Sequence, residues 1–301
     1  MIHPNPQDEL RNLVPTKKYF IGIDSDGCAF DTMEIKQKEC FCPNFISFFN
    51  LQPVSRFARE TWEFVNLYSR SRGVNRFPAL AEALHMLGER PEVLARHAHI
   101  GNVQPLLDWI RSETKLGNPA LEKQVAAHAD PFLVKVLEWS KKVNRDIEAM
   151  VHGIGPFPFV RESLKEMQDD CDVMVVSQTP LEALTREWKE NDIDQFVRVI
   201  AGQEYGTKTE HIALAAVGKY PAANILMIGD AFGDLKAAQS NGVLFFPINP
   251  GQEEASWEQF YREGYRKFIS GTYRGAYEDG LIETFRKYLP ETPPWKASGT
   301  R

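Results

Sequence analysis

The stretch YFIGIDSDGCAFDT, residues 19–32, decides the fold. It begins with an apolar run typical of a strand buried on both faces of a parallel sheet, and it changes abruptly to charge at Asp24 and Asp26. In a doubly wound α/β sheet, ligands bind beyond the carboxyl ends of the strands. Two acids there, with Gly27 for the turn, predict a site in which a cation or a proton offsets their repulsion. The alternative is a polar turn and helix cap, which aspartate commonly supplies.

Length, composition and charge limit the number of domains and the class of protein. The chain has 301 residues, a net charge of −6 and 43% hydrophobic residues, which is enough for a large core and predicts two domains. Its mild acidity argues against a nucleic-acid coat or a membrane-surface protein. No apolar run approaches the ~18 residues of a membrane span, and the N-terminal MIHPNPQDEL lacks the apolar core of a secretion signal. We therefore expect a cytoplasmic protein with no membrane or nucleic-acid partner.

Cysteine and histidine patterns predict no further metal centre. The four cysteines have no second pair at zinc-finger spacing, so we interpret them as reduced thiols: Cys28, Cys40, Cys42 and Cys171. The pair His97 and His99 has no third ligand at suitable spacing, which favours surface or core positions over metal binding.

The sequence pattern of residues 33–153 predicts a series of helices. Apolar side chains recur there at helical spacing, and prolines divide the segment at positions suited to helix starts: Pro43, Pro53, Pro78, Pro91, Pro105, Pro119 and Pro131. The most basic patch of this segment spans residues 66–76. Its polar residues are candidates for holding an anionic or hydroxyl-rich substrate: Arg70, Arg72, Asn75 and Arg76. The alternative is ordinary helix-ending chemistry, with cations in a last turn before Gly73.

From Val151 onward the chain alternates again between strand and helix. Apolar runs predict strands over residues 172–177, 196–201, 224–228 and 243–248. Ser177 ends the first of these runs, at the same sheet edge as Asp24. Lys208 follows a glycine turn whose spacing is one residue short of a nucleotide-binding P-loop. Asp230 and Asp234 follow the run 224–228 one helical turn apart, so both are expected to face one cavity.

Taken together, DSDGCAFDT, VMVVS, a lysine after a glycine turn, and GDAFGD followed by LKAA resemble the haloacid dehalogenase-like hydrolase superfamily. The resemblance covers residues 17–32 and 154–250. It implies an α/β fold, a Rossmann-like three-layer sandwich with a five-stranded parallel sheet, plus a large all-helical cap domain. The expected domains are 1–32 and 154–250 as the core, 33–153 as the cap, and 251–301 as a C-terminal helical extension.

The resemblance also implies roles for the acids. Asp24 would be the nucleophile that forms an aspartyl-phosphate, and Asp26 the general acid and base. Mg²⁺ would be held by Asp24, by the main-chain carbonyl of Asp26 and by Asp230. Dehalogenase members lack the second acid, so Asp26 favours hydrolysis or transfer of a phosphoryl group.

Four further polar residues complete the implied site. Ser177 would donate to a phosphoryl oxygen, and Lys208 would offset charge on the nucleophile and the phosphoryl group. Asp234 would orient Lys208 or a metal-bound water, with Gln178 in support. We therefore expect a Mg²⁺-dependent phosphatase that acts on a small phosphorylated metabolite, in an oligomeric state that the sequence leaves open.

Two alternatives remain open at this point. A sugar-phosphate mutase would use the same aspartyl-phosphate, and a metabolite-binding or regulatory protein would keep the scaffold without turnover. At the C-terminus, residues 257–268 place aromatic side chains on one helical stripe, which predicts a helix covering the core, and residues from Pro290 onward predict a loose tail.

Overall fold

The computed structural model describes residues 5–297, and these residues form two compact units. The core unit comprises residues 5–33 and 153–289, and the helical unit comprises residues 34–152 and 290–297. Residues 1–4 of the N-terminal segment and 298–301 of the predicted tail lie outside the described part. Among the described helices, none combines the length and the apolar character that a membrane span requires.

The core unit contains a single five-stranded sheet in which every neighbouring pair of strands is parallel. Its strands are β1 Tyr19–Ile23, β2 Cys171–Val176, β3 Val199–Ala201, β4 Ile225–Gly229 and β5 Leu244–Pro247. The spatial order is β3-β2-β1-β4-β5, so β1 is central. All five predicted strands are present. The third is shorter than predicted: its first predicted residue ends a 3₁₀ turn over Asp194–Phe196, and the strand begins only at Val199.

Seventeen α-helical segments are present among residues 5–297. They are α1 Pro6–Arg11, α2 Thr32–Ile35, α3 Cys42–Phe48, α4 Ser55–Leu67, α5 Arg76–Gly88, α6 Pro91–Leu94, α7 Gln104–Ser112, α8 Asn118–Ala127, α9 Pro131–Met150, α10 Val160–Met167, α11 Leu181–Glu190, α12 Lys208–Ala215, α13 Phe232–Ser240, α14 Glu253–Gln259, α15 Tyr265–Ile269, α16 Ala276–Tyr288 and α17 Pro294–Ala297. Two π-helical segments, Lys36–Phe41 and Phe260–Gly264, link α2 to α3 and α14 to α15. The α/β class and the helical segment that the sequence predicts are thus confirmed.

Both faces of the sheet are buried, as its continuous apolar strands predict. Alternate residues of each strand point to opposite sides, so Ile21 and Ile23 join one hydrophobic cluster while Phe20 joins another. The aromatic stripe predicted near the C-terminus covers the first of these clusters through buried side chains: Trp257, Phe260, Tyr265 and Phe268. Helices on both faces give the three layers of the predicted sandwich.

The helical unit has its own hydrophobic core, centred on Trp62 and Trp139, whose ring centroids lie 6.0 Å apart. A proline occupies the first or second position of each of its helices α3, α6, α7, α8 and α9, where the missing N–H costs no hydrogen bond. The C-terminal segment is not loose where it is described. The ring of Trp295 packs edge-on against Phe64 and lies 4.3 Å from the guanidinium carbon of Arg90.

Candidate active site

The strand order brings three chain segments together at the carboxyl end of the sheet. β1 lies between β2 and β4, with Ile23 in register with Val175 on one side and Ile228 on the other. Asp24, Ser177 and Asp230 are the residues that directly follow these three strands. All three are buried. The sequence prediction that one edge of the sheet gathers these residues is therefore consistent with the fold.

Three carboxylates and one ammonium form the centre of this edge. Asp24, Asp230 and Asp234 each offer a carboxylate oxygen, and these atoms all lie within 4.8 Å of one another. Lys208 Nζ donates to Asp24 Oδ2 and to Asp234 Oδ1, each at 2.6 Å. The other oxygen of Asp24 accepts from the Ser25 main-chain N–H at 2.8 Å. Both oxygens of the predicted nucleophile are thus oriented by fixed donors.

Local sequence explains how Lys208 and Asp234 reach this centre. Gly206, at φ 109°, makes a turn that L-residues rarely adopt, and Thr207 then caps α12 in a capping box with Glu210. Lys208 is therefore the first residue of α12. Asp234 is held in the first turn of α13 by accepting from the Ala231 N–H at 3.0 Å. A Cβ on Gly229 would lie 2.4 Å from Asp234, so only glycine leaves room for this carboxylate against the strand end.

The electrostatics of the centre favour an additional cation. Burial raises the pKa of Asp24, the Lys208 ammonium opposes this, and the Asp230 charge adds to it, giving a pKa of about 6. Burial likewise raises the pKa of Asp234 to about 6 despite Lys208. Burial lowers the pKa of Lys208, but the surrounding carboxylates outweigh it and hold that pKa well above its usual range. Lysine therefore stays charged while the acids carry more negative charge than it offsets.

Asp26 follows Asp24 by two residues and makes contacts that the sequence analysis did not predict. Thr32 Oγ1 donates to its Oδ1 at 2.5 Å, and Thr179 Oγ1 donates to its Oδ2 at 2.8 Å. Thr32 ends the quoted stretch, whereas Thr179 lies two residues beyond Ser177, the last residue of the quoted VMVVS. Because each hydroxyl can donate or accept, this pair can hold the carboxyl group of Asp26 in either protonation state.

The loop after β2 provides the other two predicted polar residues. Ser177 Oγ accepts from the Thr179 N–H at 3.2 Å, which closes a tight turn at the strand end. Gln178 Nε2 donates to the Gly206 carbonyl at 2.8 Å, so Gln178 joins this loop to the turn that precedes Lys208. A positioning role for Gln178 follows from this contact, whereas the role of Ser177 toward a phosphoryl group stays a prediction.

A second missed contact fixes the residue between the two acids. Ser25 Oγ donates to Glu187 Oε2 at 3.0 Å and accepts from Trp188 Nε1 at 2.9 Å, which anchors the loop after β1 to α11. Cys28, also in this loop, is fully buried, and burial followed by the charges of Asp230 and Asp24 holds the pKa of its thiol well above the usual range. A thiol in this state is not a nucleophile.

The predicted substrate-binding residues lie in the helical unit, where each makes internal contacts. Arg70 pairs with Glu291, and buried Arg72 donates to the Leu67 carbonyl at 3.0 Å. Asn75 caps α5 by accepting from the Phe77 N–H at 3.1 Å. Arg76 Nη1 donates to Asn144 Oδ1 at 2.6 Å and to Ser140 Oγ at 3.0 Å. These contacts give the four residues structural roles, and substrate contact stays a prediction.

The donor set at the sheet edge fits a magnesium ion. Mg²⁺ prefers carboxylate and carbonyl oxygens, and Asp24, Asp230 and Asp234 offer three such oxygens within 4.8 Å. Three carboxylates and the single ammonium of Lys208 leave two net negative charges, which one divalent cation would neutralise. The sequence prediction named Asp24, Asp230 and the Asp26 carbonyl as ligands, and the geometry adds Asp234 as a fourth candidate.

Neither a protein-family model nor a curated protein sequence matches the chain. Solved structures do show similarity. A haloacid dehalogenase-like family hydrolase from Streptococcus pneumoniae is 12% identical, with 83% of this chain and 93% of that chain covered and a TM-score of 0.48. A proposed phosphoglycolate phosphatase from Lactobacillus delbrueckii subsp. bulgaricus is 17% identical, with 82% and 92% covered and a TM-score of 0.48.

A further haloacid dehalogenase-like family hydrolase, from Xanthomonas campestris, is 11% identical over 87% of this chain and 97% of that chain, with a TM-score of 0.44. At these identities and TM-scores the similarity carries no weight for function, which depends on the side chains described above. The chain is thus similar in structure to haloacid dehalogenase-like hydrolases, the family whose motifs its sequence resembles.

Proposed function

We propose that this protein is a Mg²⁺-dependent phosphatase that hydrolyses a small phosphorylated metabolite through an aspartyl-phosphate on Asp24. One observation carries the proposal: three buried carboxylates surround one lysine ammonium at the carboxyl end of a parallel sheet. Phosphoryl transfer needs an in-line nucleophile and positive charge around the phosphoryl oxygens. A centre with an oriented carboxylate, an ammonium and a cation-binding acid set supplies both.

In the first step, a carboxylate oxygen of Asp24 attacks phosphorus, and the bond from phosphorus to the ester oxygen breaks. Asp26 gives its proton to that oxygen, so the leaving group departs as an alcohol. The Lys208 ammonium offsets charge on Asp24 and on the transferred group. When bound, Mg²⁺ would supply further charge neutralisation, held by Asp24, the Asp26 carbonyl and Asp230 with Asp234 beside them.

In the second step, Asp26, now ionised, takes a proton from water, and the resulting nucleophile attacks phosphorus. Inorganic phosphate leaves and the Asp24 carboxylate is restored. Thr32 and Thr179 keep Asp26 available for both roles, because their hydroxyls can bond to either protonation state of its carboxyl group. Ser177, at the end of β2, would donate to a phosphoryl oxygen.

The test is a panel of phosphate monoesters assayed with Mg²⁺ and with EDTA, for the wild type and the Asp24→Asn variant. We expect release of inorganic phosphate that requires Mg²⁺ and falls at least ~10³-fold in Asp24→Asn, as loss of a nucleophile does. The exposed Asp169 offers a matched control, and Asp169→Asn should retain activity.

Other results would select the alternatives. Conversion of one sugar-phosphate isomer to another without free phosphate would identify a mutase. Binding of Mg²⁺ and esters without either reaction would identify a non-catalytic binding protein. A phosphatase activity that survives in Asp24→Asn would refute the proposed nucleophile.

A further inference from the structure

The helical unit contains a pocket of about 380 Å³ that the proposed reaction does not use. Its walls come from the end of α3, from the loop after α6 and from the first turns of α9. The lining residues are Phe49, Asn50, Pro53, Arg96, His97, Ala98, His99, Gly101, Phe132 and Lys135. This volume is within the range that small-molecule sites occupy.

The charge of this pocket contrasts with that of the chain. Four of its lining residues carry basic side chains and none is acidic, although the protein has a net charge of −6: Arg96, His97, His99 and Lys135. Among residues 5–297, neither Arg96 nor Lys135 forms an ion pair with an acid. Arg96 is partly fixed, because its Nη1 donates to the Glu92 carbonyl at 2.8 Å and its guanidinium lies 4.8 Å from the Phe57 ring centre. Its remaining donors are available to an anion.

An aromatic surface lies beside these cations. Phe49 is buried and packs against half-buried Phe132, with ring centroids 5.8 Å apart and planes inclined at 52°. Flat or apolar ligand groups gain free energy on such a surface, because it removes them from water. Pockets that combine an apolar wall with a few convergent polar groups are typical of ligand sites.

The backbone of the pocket wall is itself unusual. Asn50 and His97 have φ values of 55° and 53°, in the left-handed region, and they are two of the four non-glycine residues with positive φ in the described part of the chain. Each such conformation costs on the order of 1 kcal/mol, although asparagine and histidine tolerate it better than most residues. Strained residues often cluster where a ligand binds.

A metal ion is a poor occupant of this pocket. His97 and His99 are both exposed and offer only two nitrogen ligands, and the Arg96 and Lys135 cations beside them would repel a second cation. The same two cations attract an anion, because guanidinium and ammonium groups bind phosphate and carboxylate through charge-assisted hydrogen bonds.

We propose that this pocket binds a small organic anion, with a phosphate or carboxylate group against Arg96, His97, His99 and Lys135 and a flat apolar portion against Phe132. The site belongs to the helical unit and is formed without any residue of the acidic centre. Its ligand can therefore be tested separately from the proposed phosphatase reaction.

The experiment uses the full-length protein in EDTA and phenylphosphonate as the probe, because this compound has an aromatic ring and a phosphoryl group but no ester bond to hydrolyse. The readout is NMR of the imidazole resonances of the seven histidines, assigned with His97→Gln and His99→Gln. We expect saturable shifts of His97 and His99, weaker binding of inorganic phosphate, and no binding of neutral benzyl alcohol.

Two lysine variants separate this site from general attraction of anions. Lys135→Met should weaken binding about tenfold, which corresponds to the loss of one charge-assisted contact. Exposed Lys123, in α8 of the same unit, lies outside the pocket, so Lys123→Met should bind as the wild type does. The proposal is overturned if His97 and His99 show no saturable shift up to ~10 mM probe, or if the two variants bind equally well. Neither result bears on the phosphatase assay.

Discussion

Buried carboxylates occupy both ends of the core sheet, and the two ends differ in how those charges are balanced. At the carboxyl end, three acids share one ammonium, that of Lys208. At the amino end, Asp172 is the second residue of β2 and is 2% exposed. Its two oxygens accept five hydrogen bonds: from the main-chain N–H groups of Thr16 and Lys17, and from the side chains of Thr16, Arg198 and Tyr220, at 2.5–3.0 Å.

The pKa shifts record this difference. Burial raises the pKa of Asp172, but the hydrogen bonds from Thr16 and Tyr220 outweigh burial, so the pKa ends below its ordinary value. Asp24 and Asp234 end at about 6 because their donors do not compensate for burial and mutual repulsion. A buried carboxylate stabilises the fold when its hydrogen-bond donors outweigh the cost of burial. Buried carboxylates whose donors do not offset burial and mutual repulsion are stabilised when a cation binds. The amino end is thus balanced by its own donors, whereas the carboxyl end keeps excess negative charge.

The largest expected effect comes from removing the Lys208 ammonium at the carboxyl end. Lys208→Met leaves the buried carboxylates without a counter-charge, so the free energy of unfolding in EDTA at pH 7.5 should fall by about 3–5 kcal/mol. Chemical denaturation measures this loss. Exposed Lys189 provides the control, and Lys189→Met should unfold as the wild type does. Saturating Mg²⁺ should restore part of the lost stability to Lys208→Met, and equal stability of the two variants in EDTA would contradict the electrostatic account.

Asp172→Ala tests the amino end. Its five donors lose their acceptor, and burying such groups without partners should lower the free energy of unfolding by about 3 kcal/mol. Mg²⁺ should not restore this loss, and the activity of the folded fraction should stay unchanged. The exposed Asp169 is the control through Asp169→Ala. A variant with wild-type stability but reduced kcat would show that Asp172 belongs to the reaction rather than to the fold.

The sequence predicts the acids at the carboxyl end of the sheet better than it predicts the role of Asp172 at the amino end. At the carboxyl end, each acid directly follows or closely follows an apolar run, so strand ends and spacing were sufficient to bring Asp24 and Asp230 together. The hydroxyls of Thr32 and Thr179 that hold Asp26 were missed, although Thr32 lies within a quoted motif and Thr179 lies two residues beyond another, because nothing local shows which way they point. Asp172 was read as part of a strand. Its partners lie up to 156 residues away along the chain, and only the folded topology brings them to it.

Asp24→Asn should have a stability effect of the opposite sign. The pKa of about 6 exceeds the ordinary 3.8, so the folded state disfavours the charged form of Asp24 at neutral pH. Replacing it with neutral asparagine should raise the free energy of unfolding in EDTA by roughly 2 kcal/mol while abolishing activity. In saturating Mg²⁺ the gain should shrink or reverse, because the variant lacks a metal ligand. A less stable variant in EDTA would mean that the Lys208 contact outweighs the burial of Asp24.

The smallest expected effects are on the pH dependence of the free energy of unfolding. Asp24 at the carboxyl end and Asp172 at the amino end should change it over different pH ranges. Asp24 has a raised pKa, so its destabilising contribution is complete above about pH 6 and disappears as pH falls from 6 towards the ordinary 3.8. Asp172 has a lowered pKa, so its stabilising contribution is complete above the ordinary 3.8 and is lost only as pH falls below that value. In EDTA, the stability difference between wild type and Asp24→Asn should therefore shrink as pH falls below about 6 and vanish near pH 4. The stability difference between wild type and Asp172→Asn should shrink only below about pH 4. Denaturation curves from pH 7.5 to 3 measure both differences, and coinciding pH ranges would contradict the opposite pKa shifts of Asp24 and Asp172.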